Sequence, residues 1–247
     1  MNRCFLLGGH DLEMLEIRHL LDEQGVNYAD AGLDWSNARL SAYADIITVS
    51  PDAEYFGVEL QEDYPPPRHY TRIDHHNDYN GRPAAILQVA TLLGVIPNRH
   101  MQLVAANDAG YIPAMQVFGA TQDEIVQLRL ADRSAQGITP EDERLAERSV
   151  SENLVKSGHT IIVRALTPHF SPICDRLFPY RRLMIYTENE WVFYGEGKAR
   201  LVAELSSDIA AKRVYHGGGA DGYIGAAEGA FDTQQIMDFV NKIKNEI

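Results

Sequence analysis

The chain has 247 residues, 45% of them hydrophobic, enough for one large domain or two small ones with a buried core. Its 22 basic and 35 acidic residues leave a net charge of −13, which excludes strong non-specific affinity for long duplex nucleic acid, because that affinity rests on Lys and Arg neutralising phosphates. A short anionic substrate remains compatible, since bound divalent cations reverse the local charge of an acidic site. Cys4 and Cys174 have no CxxC partner and read as free thiols of a reducing compartment. The apolar run near the N-terminus is too short for a signal peptide, and no stretch of about 18 apolar residues is present. The expectation is a cytoplasmic protein with no membrane partner.

In chain order, Arg3–Gly8 reads as a buried strand, and Gly8-Gly9 allow a sharp exit before His10-Asp11-Leu12-Glu13. Leu12, Met14, Leu15, Ile17, Leu20 and Leu21 recur at helical spacing as far as Gly25, a plausible C-cap. Strands are expected near Val26–Ala29 and Asp45–Ser50, with a helix around Asn37–Ala44 between them. Pro65-Pro66-Pro67 marks a stiff approach to a strand at Tyr70–Ile73, which opens into Asp74-His75-His76. Helices follow near Pro83–Leu93 and Asn98–Ala106, the second leading to Asn107-Asp108-Ala109-Gly110. Strands alternating with helices predict a mostly parallel sheet with flanking helices.

Thr121 with Glu124 forms a capping-box pattern that opens a charged helix, and Thr139-Pro140 starts the next. This helical pair, 121–158, reads as a bridge between a first domain, 1–120, and a second, 159–247. The run Arg129-Leu130-Ala131-Asp132-Arg133 reads as a solvated or interdomain salt-bridged face. Strands are expected over Thr160–Leu166, Arg182–Tyr186 and Glu190–Tyr194, the last two joined at Glu188-Asn189. A helix over Lys198–Ala211, the stretch His216-Gly217-Gly218-Gly219-Ala220-Asp221, and a helix capped by Asp232 that runs to the end complete a smaller α+β domain.

Polar clusters fall at the carboxyl ends of the strands, where parallel sheets bind their ligands. A carboxylate with imidazoles suits Mn, Zn or Fe, and a neighbouring carboxylate orients an imidazole. The plain alternative for Asp74-His75-His76 is a loop Asp holding one His by a hydrogen bond. For Asp108 it is a turn residue ahead of glycine, and for Gly217-Gly218-Gly219 it is a tight turn. Glycines also let the backbone point N–H groups at a phosphate.

The strand ending in paired acids, the intact Asp74-His75-His76, the later Asp108 before glycine and the triple-Gly loop near the C-terminus resemble the DHH phosphoesterase superfamily. The likeness in order and spacing covers nearly the whole chain. In that family the first motif is usually Asp-x-Asp, often with a His upstream. Here it is Asp11-Leu12-Glu13 with His10 adjacent, and His10 could replace the upstream ligand. The second motif is an Asp closing a strand; here Ser50 closes it and Asp52 lies two residues on. The relatives' glycine loop usually ends in Gly-His, whereas His216 here precedes the glycines.

The resemblance implies metal ligands from Asp11, Glu13, Asp52, His75, Asp108 and His10. It places Asp74 as an anchor behind them and His76 as a proton donor or phosphate contact. Substrate contacts would come from His216, Gly217, Gly218, Gly219, Asp221 and Arg200, with Arg164 a further candidate, in a cleft between the domains. Glu16 is more simply a favourable charge near a helix start. The expected activity is hydrolysis of a phosphate ester of a small nucleotide or short single-stranded oligonucleotide by metal-activated water. Mn2+ is the cation implied, with one or two ions and Mg2+ or another divalent left open. A homodimer is compatible with this reading. The alternative is a catalytically degraded protein of the same fold that binds a nucleotide or protein without hydrolysis, as the departures at Ser50 and beside the glycine loop suggest.

Overall fold

The short runs Arg3–Leu7 (β1), Tyr28–Ala29 (β2), Glu54–Val58 (β3) and Tyr70–Ile73 (β4) form one sheet in the order β2-β1-β3-β4. The computed structural model describes residues 3–219 and 221–245. All three pairings are parallel, with Phe5 opposite both Tyr28 and Phe56, and Tyr55 opposite Tyr70. A parallel sheet is covered on both faces, so its strands are apolar throughout. Phe5, Leu6, Leu7, Tyr55, Phe56 and Val58 are accordingly buried.

The helices of this unit are Leu12–Glu23 (α1), Ala44–Val49 (α2), Ala85–Leu93 (α3), Arg99–Val117 (α4) and Gln122–Ala135 (α5). α1 buries Leu12, Met14, Ile17, Leu20 and Leu21 and packs against α3, α4 and α5. Leaving β1 the chain turns to one side to reach β2, and β3 and β4 lie on the other. The gap between β1 and β3 is therefore the switch point at which such sheets bind ligands.

The structure moves one expected strand. Most of Asp45–Ser50 is α2, in which only Ile47 is buried and Val49 is 83% exposed. Its β-branched residues favour a strand only where a pleated surface is there to pack on. That place goes to β3, whose Tyr55, Phe56 and Val58 fill the sheet interior.

The chain divides into two compact units, Met1–Gly137 and Ile138–Ile247. The pair of charged helices falls one in each. α5 opens on the capping box of Thr121 and Glu124 and packs on α1 and α4. Its Arg129, Asp132 and Arg133 are buried rather than solvated.

The second unit contains Pro140–Asn153 (α6), Leu154–Ser157 (β5), Thr160–Arg164 (β6), Ser171–Leu177 (α7), Arg182–Tyr186 (β7), Trp191–Gly195 (β8), Lys198–Glu204 (α8), Ser206–Ala210 (α9), Val214–Gly217 (β9), Tyr223–Ala226 (β10) and Thr233–Asn245 (α10). Its sheet runs β5-β6-β7-β8-β10-β9, with β6 and β7 parallel and the other pairs antiparallel. One face buries Met184, Trp191, Phe193 and Ile224 with Leu201 of α8 and Ile236 of α10, and the other buries Val163, Leu183 and Ile185 with Ile173 of α7. Asp232 caps α10, accepting from the Gln235 N–H at 2.8 Å. The last residues of the helix expected to reach the C-terminus, and Ala220 in the glycine loop, lie outside the described residues. Among the described residues no helix is long and apolar enough to cross a membrane.

Candidate metal centre

The site is built where β1, β3 and β4 end. β1 leaves the sheet through Gly8, where a Cβ would sit 2.4 Å from the Val58 carbonyl oxygen and 2.8 Å from that of Glu59. Only glycine lets the two strand ends pass this closely. Glu59, directly after β3, has φ 52°, a left-handed conformation that costs a non-glycine residue about 1 kcal/mol or more. Its N–H donates to the Ile73 carbonyl at 2.8 Å, which fixes the turn against β4. Strain of this kind collects at functional sites.

Asp11 caps α1, its Oδ1 accepting from the Met14 N–H at 2.9 Å. Glu13, one turn in, accepts through Oε1 from the Ile86 N–H at the start of α3, at 3.0 Å. Asp108 lies on α4 just before the break at Gly110 and Tyr111, where Tyr111 has φ 59°.

These carboxylates converge on one imidazole. His75 Nε2 lies 2.5 Å from Asp108 Oδ2, 3.2 Å from Glu59 Oε1 and 3.8 Å from Glu13 Oε2. Yet His75 Nε2, Asp108 Oδ2, Glu13 Oε2 and both Glu59 oxygens are buried without a hydrogen bond of acceptable geometry. Leaving such groups unsatisfied costs about 1–3 kcal/mol each, more when charged. Glu59, His75, His76 and Asp108 each offer a ligand atom within 4.8 Å of the others.

Burial raises the pKa of Asp11 and Glu13 to about 7 and that of Glu59 to about 8, and the neighbouring Asp108 adds to each shift. Burial works against a charged His75, but the carboxylates of Asp108, Glu13 and Glu59 outweigh it and push its pKa up to about 12. The nearby guanidinium groups are committed elsewhere: Arg72 to Asp74, Arg129 to Asp132. Buried acids with orphaned oxygens around an imidazole nitrogen are the donor set of a divalent cation, and the residues present fit such an ion.

Asp74 differs from its neighbours. Its Oδ2 accepts from Arg72 Nη2 at 2.6 Å and its Oδ1 from the His76 N–H at 2.8 Å. Burial opposes its ionisation, but the hydrogen bonds from His76 and Arg72 prevail and hold it well below the usual carboxylate range. His76 Nδ1 faces Asp74 Oδ1 and Glu59 Oε1, each at 3.5 Å, and its side chain is 45% exposed. The Asp74 carboxylate raises the pKa of His76.

Behind the cluster, Arg129 Nη1 donates to Asn107 Oδ1 at 2.9 Å and to Asp132 Oδ2 at 2.5 Å. Asp132 Oδ1 accepts from the Leu12 N–H at 3.3 Å. α5 is thereby tied to the residues on either side of the cluster, and this is why its charged run is buried.

The expected ligands are not all brought together. Asp11, Glu13, His75 and Asp108 are. His10 is exposed ahead of α1, and Asp52 lies in an exposed turn before β3, at the opposite end of that strand from the cluster. Glu59 stands where the sequence reading placed Asp52. An apolar run closed by an acid, Tyr55-Phe56-Gly57-Val58-Glu59, is the signal that could have found it. Glu16 pairs with His19 and His100.

In the second unit, Gly217 pairs with Tyr223, and Gly218, Gly219, Asp221 and Gly222 lie at the tip of the β9–β10 hairpin. Gly218 and Gly219 have φ of 71° and 66°. Buried Lys198 donates through Nζ to the carbonyls of Gly217 and Gly219. His216 and Arg200 are exposed, and Arg200 lies beside Glu204 at 3.6 Å. Arg164 is paired with Glu188.

No protein-family model matches the sequence, and no curated protein matches it. Solved structures do, and the likeness is one of fold. A DHH domain from a member of a family of ribosomal proteins aligns over 99% of this chain and 87% of its own, with a TM-score of 0.57 at 13% identity. The pGpG-specific phosphodiesterase PggH of Vibrio cholerae aligns over 98% of both chains, with a TM-score of 0.50 at 14% identity. At these identities the likeness defines the fold, a parallel α/β domain followed by a smaller mixed-sheet domain.

Proposed function

We propose that the protein is a metal-dependent phosphoesterase acting on a small nucleotide or a short single-stranded oligonucleotide. The observation that carries this reading is the convergence of Glu13, Glu59 and Asp108 on His75 Nε2 with their buried atoms unsatisfied. Asp11, Glu13, Glu59, His75 and Asp108 would hold one or two divalent ions, Mn2+ by resemblance. Such an ion acidifies water and offsets charge on phosphoryl oxygens. His76 turns Nδ1 towards Asp74 and Glu59, which leaves Nε2 to contact a phosphate oxygen or donate a proton to the leaving group. Asp74, fixed by Arg72, orients His76 and favours its protonated form.

The cluster lines a cavity of about 580 Å3 with Asp11, Glu59, Asp74, His76 and Asp108 on its wall, a volume suited to a small molecule. The net charge of −13 favours a short substrate over a long polymer. The alternative of a degraded binding protein drew on Ser50 at the second motif, and Glu59 weakens that ground by supplying an acid at the same strand end. The test is hydrolysis of a panel of dinucleotides and mononucleotides, pGpG included, by the purified protein with Mn2+ or Mg2+. Metal-dependent release of mononucleotide or phosphate is the expected result. Metal-dependent binding without turnover would favour the binding protein.

A further inference from the structure

Outside the acidic cluster, an unusual feature of the cavity wall is Trp35. It is 47% exposed on a loop, yet it lines the same cavity as Asp11, Glu59, His76 and Asp108. A large aromatic left open beside buried carboxylates gains nothing from the core of the fold.

The loop is built to hold it. Asp34, the preceding residue, accepts from the Ser36 N–H at 2.8 Å, the Asn37 N–H at 3.1 Å and Asn37 Nδ2 at 2.9 Å, which closes a turn around the indole. Upstream, the Ala31 N–H donates to Tyr43 Oη at 3.2 Å, and Tyr43 Oη donates to the Leu7 carbonyl at 2.5 Å. Downstream, the Ala38 carbonyl accepts from the Gln61 N–H at 2.8 Å, two residues past Glu59. Both ends of the loop are thus tied to the strand ends that carry the acids.

The ring is also backed on one side. A Cβ on Gly9 would lie 2.3–2.4 Å from three atoms of the indole. The glycine backbone therefore lies flat against the ring system, and any side chain there would displace it. The His76 ring stands 6.3 Å away, tilted by 57°, so the indole neighbours the imidazole of the Asp-His-His loop. The exposed part of the indole belongs to the wall of the cavity that also carries Asp11, Glu59, His76 and Asp108.

We propose that Trp35 is a stacking platform for one nucleobase of the substrate, next to the phosphate that is cleaved. The proposal rests on the phosphoesterase reading and names the residue that would recognise the base of its substrate. Stacking on an aromatic side chain is available to every base, because each has a π-face, so the platform selects for a base without selecting strongly among bases. It would distinguish nucleotides from phosphosugars and inorganic polyphosphates, which have no ring to offer.

The test compares kcat/KM for a diadenylate with that for the same compound lacking one base, for wild type, Trp35→Ala and Trp35→Phe, with Mn2+ present. The wild type should prefer the base-bearing substrate by about tenfold at one of the two base positions. Trp35→Ala should bring that ratio to about one, and Trp35→Phe, which keeps an aromatic face, should retain most of it. A ratio unchanged in Trp35→Ala, or a wild-type ratio of one at both positions, would overturn the assignment. If the wild type cleaves neither compound, the phosphoesterase reading fails separately, and fluorescence decides the stacking. Quenching by AMP that is lost in Trp35→Phe would retain the platform, whereas no such quenching would remove it. The second tryptophan, Trp191, is 2% exposed in the other unit and supplies the constant background.

Discussion

The acidic cluster of the first unit and the glycine hairpin of the second both looked from the sequence like ligand-binding elements, and their polar atoms are treated in opposite ways. At the cluster, Glu13 Oε2, both Glu59 oxygens, Asp108 Oδ2 and His75 Nε2 are buried without a hydrogen bond. At the hairpin, the carbonyls of Gly217 and Gly219 are satisfied by Lys198, and the positive φ angles of Gly218 and Gly219 serve the turn. A buried polar group left unsatisfied within the chain points to a partner from outside it, whereas a satisfied one accounts for itself. The difference separates a cluster whose buried atoms point to a cation from a hairpin whose carbonyls are held by Lys198.

The largest effect that can break this comparison is on hydrolysis. Glu59→Gln and His75→Ala should each lower kcat/KM by at least about a hundredfold, since each would remove a ligand of the proposed cation. Asp52→Asn, at the far end of β3, should stay within about twofold of wild type. Steady-state assays on a cleaved dinucleotide read both, and equal loss in the Asp52 variant would return that residue to the site.

Next comes the network behind the cluster. Arg129→Met leaves Asp132 and Asn107 buried without their partner and should cost about 3 kcal/mol by urea unfolding. An unchanged midpoint would mean that the network does not support the fold. Of similar size is the effect of metal itself: Mn2+ at about a hundred times its Kd should stabilise the chelator-treated protein by about 2.7 kcal/mol, seen as a rise in melting temperature. Smallest is Lys198→Met, which strands two carbonyls and should cost about 1–2 kcal/mol by the same urea measurement. It should leave Mn2+ affinity as it was, and a loss of metal binding would show that the two regions are not independent.

Much of the first unit was legible because local signals agree with one another. β1 with its diglycine exit and α1 are marked by apolar residues next to polar ones, and β4 by the triple proline before it and Asp74-His75-His76 after it. Asp11, Glu13 and His75 follow from that pattern, and Asp108 from its place before Gly110 and the family resemblance. Glu59 did not, because β3 is short, contains Gly57, and follows a β-branched run that competes for the strand assignment and instead forms α2. With the strand placed too early, its closing acid was sought at Asp52. The burial of Arg129 and Asp132 could not be read from α5 alone, since their partners Asn107 and Leu12 come from other parts of the chain. Trp35 stands in a stretch without apolar periodicity, and only the fold brings it to the cavity.

The central claim is that Glu59, with His75, completes a cation site at the ends of β1, β3 and β4. The most direct test is calorimetric titration of the chelator-treated protein with Mn2+, beside Glu59→Gln and Asp52→Asn. The account predicts one or two ions bound by the parent and by Asp52→Asn, and binding weakened by about tenfold or more in Glu59→Gln. No binding by the parent, or binding that Glu59→Gln leaves unchanged and Asp52→Asn abolishes, would contradict it.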